Sequence, residues 1–142
     1  MKREIKSYKA ITGHLTHEKT TLPFIGVLGI APGNAHSYNN RGFSYALIGK
    51  HEKAVEDYTM AITLDPEYAD AYLNRGLSYM KMGEYDRAII DYTEAIELNP
   101  ACSAAYLKRG LSYGKTEKHL KAAKDFEKFQ QLEELKNDEG VP

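Results

Sequence analysis

Tyr72-Leu73-Asn74-Arg75-Gly76-Leu77-Ser78-Tyr79 reads as Tyr-x2-Arg-Gly-x2-Tyr, and the same pattern starts again at Tyr38 and at Tyr106, 34 residues to either side. That spacing sets the register of the whole chain. Aligned in it, residues 35–68 and 69–102 agree at 16 of 34 positions and 69–102 agrees with 103–136 at 12, so the chain is a tandem array. A repeat of this length is one supersecondary unit that cannot bury its apolar face alone and stacks on its neighbours.

Each unit reads as a helical hairpin. In the middle copy Tyr72, Gly76 and Tyr79 share one face of a first helix, followed by a break at Met82-Gly83. Tyr85, Ala88, Ile89, Tyr92, Ala95, Ile96 and Leu98 then run along a second helix at three- and four-residue steps. Asn99-Pro100 ends it, because a residue before proline is driven out of the α region. Gly42, Gly76 and Gly110 fall in mid-helix, where glycine costs about 1 kcal/mol relative to alanine. A cost repeated at one position calls for a packing reason. The expected one is a close crossing of the two helices opposite Ala54, Ala88 and Ala122, with Tyr58, Tyr92 and Phe126 filling the next turn.

In these residues the chain resembles the tetratricopeptide repeat family, whose pattern is an aromatic, a Leu-Gly pair, an aromatic, then Ala, an aromatic, a small residue and Pro. Tyr38, Arg41-Gly42, Tyr45, Ala54, Tyr58, Ala61 and Pro66 match it, as do Tyr72, Arg75-Gly76, Tyr79, Ala88, Tyr92, Ala95 and Pro100. The third copy matches at Tyr106, Arg109-Gly110, Tyr113, Ala122 and Phe126 and then departs. Arg replaces the usual Leu in all three copies. The resemblance implies an all-α, right-handed α-solenoid of stacked antiparallel helical hairpins. The expected organisation is an irregular or eroded segment over 1–34, repeats at 35–68, 69–102 and 103–136, the last a cap, and a disordered tail over 137–142.

Composition is compatible with one globular domain: 142 residues, 42% apolar, 27% charged and no Trp. A formal charge of −1 argues against a nucleic-acid binder, which needs a basic stripe to neutralise phosphates. Cys102 is the single cysteine, so no intramolecular disulfide forms, and it reads as an exposed loop thiol without a role. In the first segment Pro32 falls one period before Pro66, and Val27, Leu28 and Ile30 are in phase with Ala61, Ile62 and Leu64. Against a full repeat, Tyr8 stands where glycine is needed, and Pro23, Gly26 and Gly29 would break the second helix. The apolar run 22–31 begins late for a signal peptide and is too short to span a bilayer. Lack of a convincing signal peptide and of disulfides points to the cytoplasm. His14, His17 and Glu18 would lie close on a helix, but the zincin spacing is absent and they read as surface residues.

No enzyme signature converges. There is no Gly-rich phosphate loop and no Gly-x-Ser-x-Gly elbow, so no catalytic residue, metal or cofactor is expected. Asp57, Asp91 and Asp125 recur at the repeat period, which a catalytic site would not. They are expected to pair with Arg41, Arg75 and Arg109 on the facing helix of the same hairpin. Two readings stand: a surface ion pair worth about 0–1 kcal/mol, or a structural pair that orients the hairpin.

The resemblance places function on a concave surface lined by the first helix of each repeat, where a peptide or partner protein binds. Carried over by position, that face comprises Asn39, Asn40 and Phe43, then Leu73, Asn74, Leu77 and Met80, then Leu107, Lys108 and Leu111. Its leucines, Phe43 and Met80 would form a contiguous exposed apolar strip, the mark of a binding site on a soluble protein. The asparagines would bond a peptide backbone, and Lys108 would meet a carboxylate; plain tolerated surface polarity is the alternative. One subclass of the family grips a chaperone's C-terminal carboxylate with Lys, Asn and Arg. Asn74 and Lys108 match that clamp, but Asn39, Phe43 and Ala104 stand in the other places, so it is not assembled.

Phe129 and Glu134 replace the small residue and the proline at the end of the third copy. The last helix therefore runs on, from 118 to about 136, as the polar end of the stack. Phe129 either caps it or marks self-association through the C-terminal helix. The functional expectation is a non-enzymatic protein-binding module with a protein or peptide partner and no nucleic acid or membrane. The alternatives are a structural, self-associating scaffold subunit, or a groove occupied by residues 20–34 of the chain itself.

Overall fold

A computed structural model describes residues 33–140, and the readings placed on residues 1–32, including Pro32, the run 22–31 and the His14–His17 pair, lie outside the described residues. The described residues form six helices and no strand: α1 (Ala35–Leu47), α2 (His51–Leu64), α3 (Ala69–Lys81), α4 (Tyr85–Leu98), α5 (Ser103–Lys115) and α6 (His119–Glu139). They divide into two compact units, one ending at Pro66 and the other starting at Glu67. The first holds the hairpin α1–α2. The second holds α3–α4 and α5–α6, joined by packing of α4 on α5 and a direct approach of α3 to α5.

Helix ends follow local chemistry. Asn34 caps α1, its side chain accepting from the Ser37 backbone N–H at 2.8 Å. Asp65 and Asn99, each before a proline, leave the helix for extended backbone at φ −139 and −140 and so end α2 and α4. The turn inside each hairpin needs one left-handed residue. Gly49 and Gly83 supply it at φ 78, but in the third hairpin Glu117 takes the same role at φ 61, where a Cβ is strained. Glu117→Gly is therefore expected to raise stability by about 0.5–1 kcal/mol, after allowing for the more flexible unfolded chain, read as a higher urea midpoint.

The mid-helix glycines are required by aromatic rings. A Cβ on Gly42 would stand 2.8 Å from the Tyr58 ring, on Gly76 2.8 Å from the Tyr92 ring, and on Gly110 2.6 Å from the Phe126 ring. The expected partners, Ala54, Ala88 and Ala122, are buried in the same hairpins, and the Ala54 carbonyl stands 3.1 Å from the Cβ position of Gly42. The ring one turn later packs directly against the glycine, which is why it cannot carry even a methyl group unless the ring gives way.

The last helix is longer than its sequence suggested. It extends to Glu139, so residues 137–139 are helical and not part of a tail. Buried Ser103, at the start of α5, donates to Glu133 at 2.5 Å, and Lys136 donates to both Ser103 and Glu133 at 2.8 Å. This network ties α6 down two turns beyond the last aromatic of the repeat pattern. Lys136 and then Ser103 hold the Glu133 carboxyl below its ordinary pKa. Phe129 is half-buried on the same side of α6 as Ala122 and Asp125.

Candidate interaction surface

The motif that recurs three times builds one side-chain stack per hairpin. Arg41 donates to Asp57 through Nε and Nη2, both at 2.8 Å, and Arg75 to Asp91 through the same atoms, both at 2.8 Å. Arg109 meets Asp125 at 2.8 and 2.7 Å. All three aspartates are buried, so these are two-pronged interior pairs, and the surface-pair reading is set aside. The two tyrosines of the motif, three residues before and four after each arginine, lie beside its guanidinium. Their centroids are 5.8 and 5.9 Å from Arg41, 5.9 and 5.9 Å from Arg75, and 5.7 and 5.6 Å from Arg109. Within the second unit Arg109 also donates to the Thr93 hydroxyl at 3.2 Å, linking its hairpin to α4 of the preceding one.

Two further periodic features belong to this stack. Lys53, Arg87 and Lys121 place a second cation over Tyr45, Tyr79 and Tyr113, at 5.4, 5.6 and 5.7 Å. Ser44, Ser78 and Ser112 are buried beside the motif, and Ser112 back-bonds to the Lys108 carbonyl at 3.0 Å. Both sets recur at 34 residues, so the period itself carried the signal. Burial, and then the neighbouring aspartate, push the hydroxyls of Tyr58 and Tyr92 well above the ordinary tyrosine pKa. Burial also pushes the Asp91 carboxyl up, against the opposing pull of Arg75.

The stack occupies one side of each first helix, and the expected binding residues are distributed unevenly over the rest. On α1, Phe43 is 49% exposed and Asn40 half-buried, but Asn39 is only 7% exposed. Asn39 lies three residues before Gly42 on the buried side of α1, so its amide does not face solvent as expected. Leu47, one turn after Phe43 and 62% exposed, was not among the expected residues, although its i+4 spacing from Phe43 pointed to it. In the second unit Leu73, Asn74, Leu77, Met80, Leu107 and Lys108 are half-buried, and Leu111 is 42% exposed. The strip is thus partly covered where α3 meets α5. Met80 is turned toward α4: its sulfur accepts from the Tyr92 hydroxyl at 3.6 Å. Two i, i+4 leucine rows run along this unit, Leu73–Leu77 and Leu107–Leu111, with Asn74 and Lys108 beside them; Leu111 is the exposed one and the other three are half-buried.

Cys102 is half-buried at the start of α5. Among the described residues no group of three His, Cys, Asp or Glu side chains is placed to hold a metal ion, and no helix is long and apolar enough to cross a membrane.

Helical hairpins with this stack define the class. A tetratricopeptide repeat model matches residues 69–102, and a second repeat model of the same family matches 44–83. The chain belongs to the tetratricopeptide repeat family. It is similar to the second repeat domain of Spaghetti (RPAP3), solved bound to the HSP90 peptide SRMEEVD, with 35% identity over 70% of this chain and 92% of that one, at a TM-score of 0.69. The second repeat domain of human RPAP3, solved in complex with the HSP70 peptide SGPTIEEVD, is 36% identical over 70% of this chain and 82% of that one, at 0.68. MamA is 28% identical over 94% of this chain and 89% of that one, with a TM-score of 0.76. No curated protein sequence gives a significant match.

Proposed function

We propose that this chain is a non-enzymatic protein-interaction module that receives a segment of a partner protein along the leucine rows of α3 and α5. The observation that carries the reading is the division of labour around each first helix. One side is committed to the Arg–Tyr–Asp stack in every repeat. The other carries the leucines, of which Leu111 is exposed and Leu77 half-buried. Two relatives above 30% identity are solved with peptides bound, which supports the same use of the fold here.

The ligand chemistry differs from a carboxylate grip. Asn39 is buried, Phe43 offers only hydrocarbon, and Ala104 only a methyl group, so Asn74 and Lys108 are left without the convergent donors that hold a carboxylate specifically. Apolar burial is the available source of affinity, about 1.5–3 kcal/mol for each leucine fully covered, before the cost of ordering the partner. Asn74 and Lys108 would supply orientation. The test is a pull-down with the wild type and with Leu77→Glu plus Leu111→Glu. Loss of the captured proteins by a variant of unchanged helix content is expected; recovery of the same set with both baits would refute the reading.

A further inference from the structure

One stripe of α1 lacks the charges that its counterparts carry. His36, Asn40, Phe43 and Leu47 follow one another at four- and three-residue steps and share a stripe about 60° wide. One and two periods later the same places hold Asp70, Asn74, Leu77 and Lys81 on α3, and Ala104, Lys108, Leu111 and Lys115 on α5. Lys81 and Lys115 are exposed, and a cation suits the end of a helix. Leu47 in their place is 62% exposed, and Phe43 one turn before it 49%. Arg41 is the only Lys, Arg, Asp or Glu of α1, and Asp57 takes it up.

A neutral, apolar stripe is best covered by a neutral, apolar segment, and the chain carries one immediately before α1. No Lys, Arg, Asp or Glu stands between Lys19 and Arg41, and the run 22–31 holds Leu22, Phe24, Ile25, Val27, Leu28 and Ile30. Pro23, Gly26 and Gly29 disfavour a helix there. The run is joined to α1 through Pro32-Gly33, a dipeptide that marks turns, and Asn34 enters the helix from extended backbone at φ −144 and ψ 167. Leu47 lies about 20 Å beyond Asn34 along the helix axis, whereas the run 22–31 reaches about 33 Å when extended. Turned back at Pro32-Gly33, it is long enough to pass both Phe43 and Leu47.

We infer that residues 22–31, which lie outside the described residues, dock in extended form along this stripe of their own chain, antiparallel to α1. The apolar side chains of the run then cover Phe43 and Leu47, and the part next to the turn passes His36 and Asn40. The inference accounts together for the exposed leucine where the other repeats carry lysine, for the uncharged stripe and for the uncharged run that leads into it. Docking closes this stripe to outside partners. It concerns α1 alone and is separate from the leucine rows of α3 and α5, so its failure would leave the reading of those rows standing.

Limited digestion of the full chain by chymotrypsin tests it, with cleavage after Phe24 followed by mass spectrometry. The comparison is with Leu47→Lys, which installs the residue that α3 and α5 carry at that place, and with Phe43→Lys plus Leu47→Lys. Cleavage should be about tenfold or more slower in the wild type than in the double variant, with Leu47→Lys in between and circular dichroism unchanged in all three. The protection should be the same at micromolar and at near-millimolar concentration, with a monomer in sedimentation velocity at both. A wild type cut as fast as the double variant would overturn the proposal and leave the stripe to an outside partner. Protection unaffected by both variants would overturn it too, since the run would then be shielded elsewhere. Protection that appears only together with a dimer would assign the stripe to the run of a second copy and refute docking within one chain.

Discussion

Asp91→Ala is expected to lower the stability of the chain by about 3–5 kcal/mol, the largest single-residue effect anticipated here. The reason lies in what the substitution leaves behind. Arg75 would keep its charge, enclosed between Tyr72 and Tyr79 with only 18% of its side chain exposed, and lose both of its carboxylate bonds. The pair as a whole contributes less than this number suggests. The raised carboxyl of Asp91 shows that burial outweighs the attraction of Arg75. A carboxyl raised in the folded state favours folding at pH below its unfolded value and loses that contribution as pH rises through the folded one, so mild acid does not unfold the protein through Asp91. Removing both charges should therefore be far milder than removing one. Arg75→Leu combined with Asp91→Ala, which restores the leucine usual in the family, should recover most of the loss in urea unfolding. Equal destabilisation by the single and double variants would contradict this account of the pair.

The second large effect is at alkaline pH. Tyr58 and Tyr92 are buried at 1% and 0% exposure, and burial holds both hydroxyls neutral well above the ordinary value. In the unfolded chain they ionise near pH 10. The stability they contribute is thus complete below about pH 10 and is lost as pH climbs toward the folded values, at about 1.4 kcal/mol per pH unit for each group. Two groups remove about 4 kcal/mol between pH 10 and 11.5 by this linkage. Urea midpoints measured across that range should fall steeply. Tyr92→Phe should remove about half of the slope, since it abolishes one of the two ionisations. Phe126 already occupies the equivalent place in the third repeat, so the substitution is compatible with the packing. A slope unaffected by Tyr92→Phe would mean that other groups govern the alkaline transition.

The hairpins were legible in the sequence because their chemistry repeats. Three arginines, three aspartates and three glycines at one period could be paired before any geometry was known, and the two prolines marked helix ends. The glycine's neighbour was assigned less well. Ala54, Ala88 and Ala122 were the natural small partners, and the Ala54 carbonyl does lie near Gly42, but the nearest atoms to all three glycines belong to the aromatic side chain one turn later, a direction that spacing alone does not give. Exposure on the first helices was the least legible property. Asn39, Leu73 and Leu107 hold one position in three repeats, yet only Asn39 is buried, so equivalence of position does not carry equivalence of exposure. Met80 likewise turned inward to the Tyr92 hydroxyl. The overrun of α6 was foreseen from the missing proline, but its anchorage depends on Ser103, 30 residues before Glu133, which no local pattern reveals.

These corrections narrow the proposed binding surface to the leucine rows of α3 and α5, and the most direct test is a calorimetric titration of a captured partner segment into the purified chain. With Leu77→Glu plus Leu111→Glu, affinity should fall by about a hundredfold or more while the melting temperature stays within a few degrees of the wild type. An affinity equal to that of the wild type would place the binding site elsewhere and contradict the account.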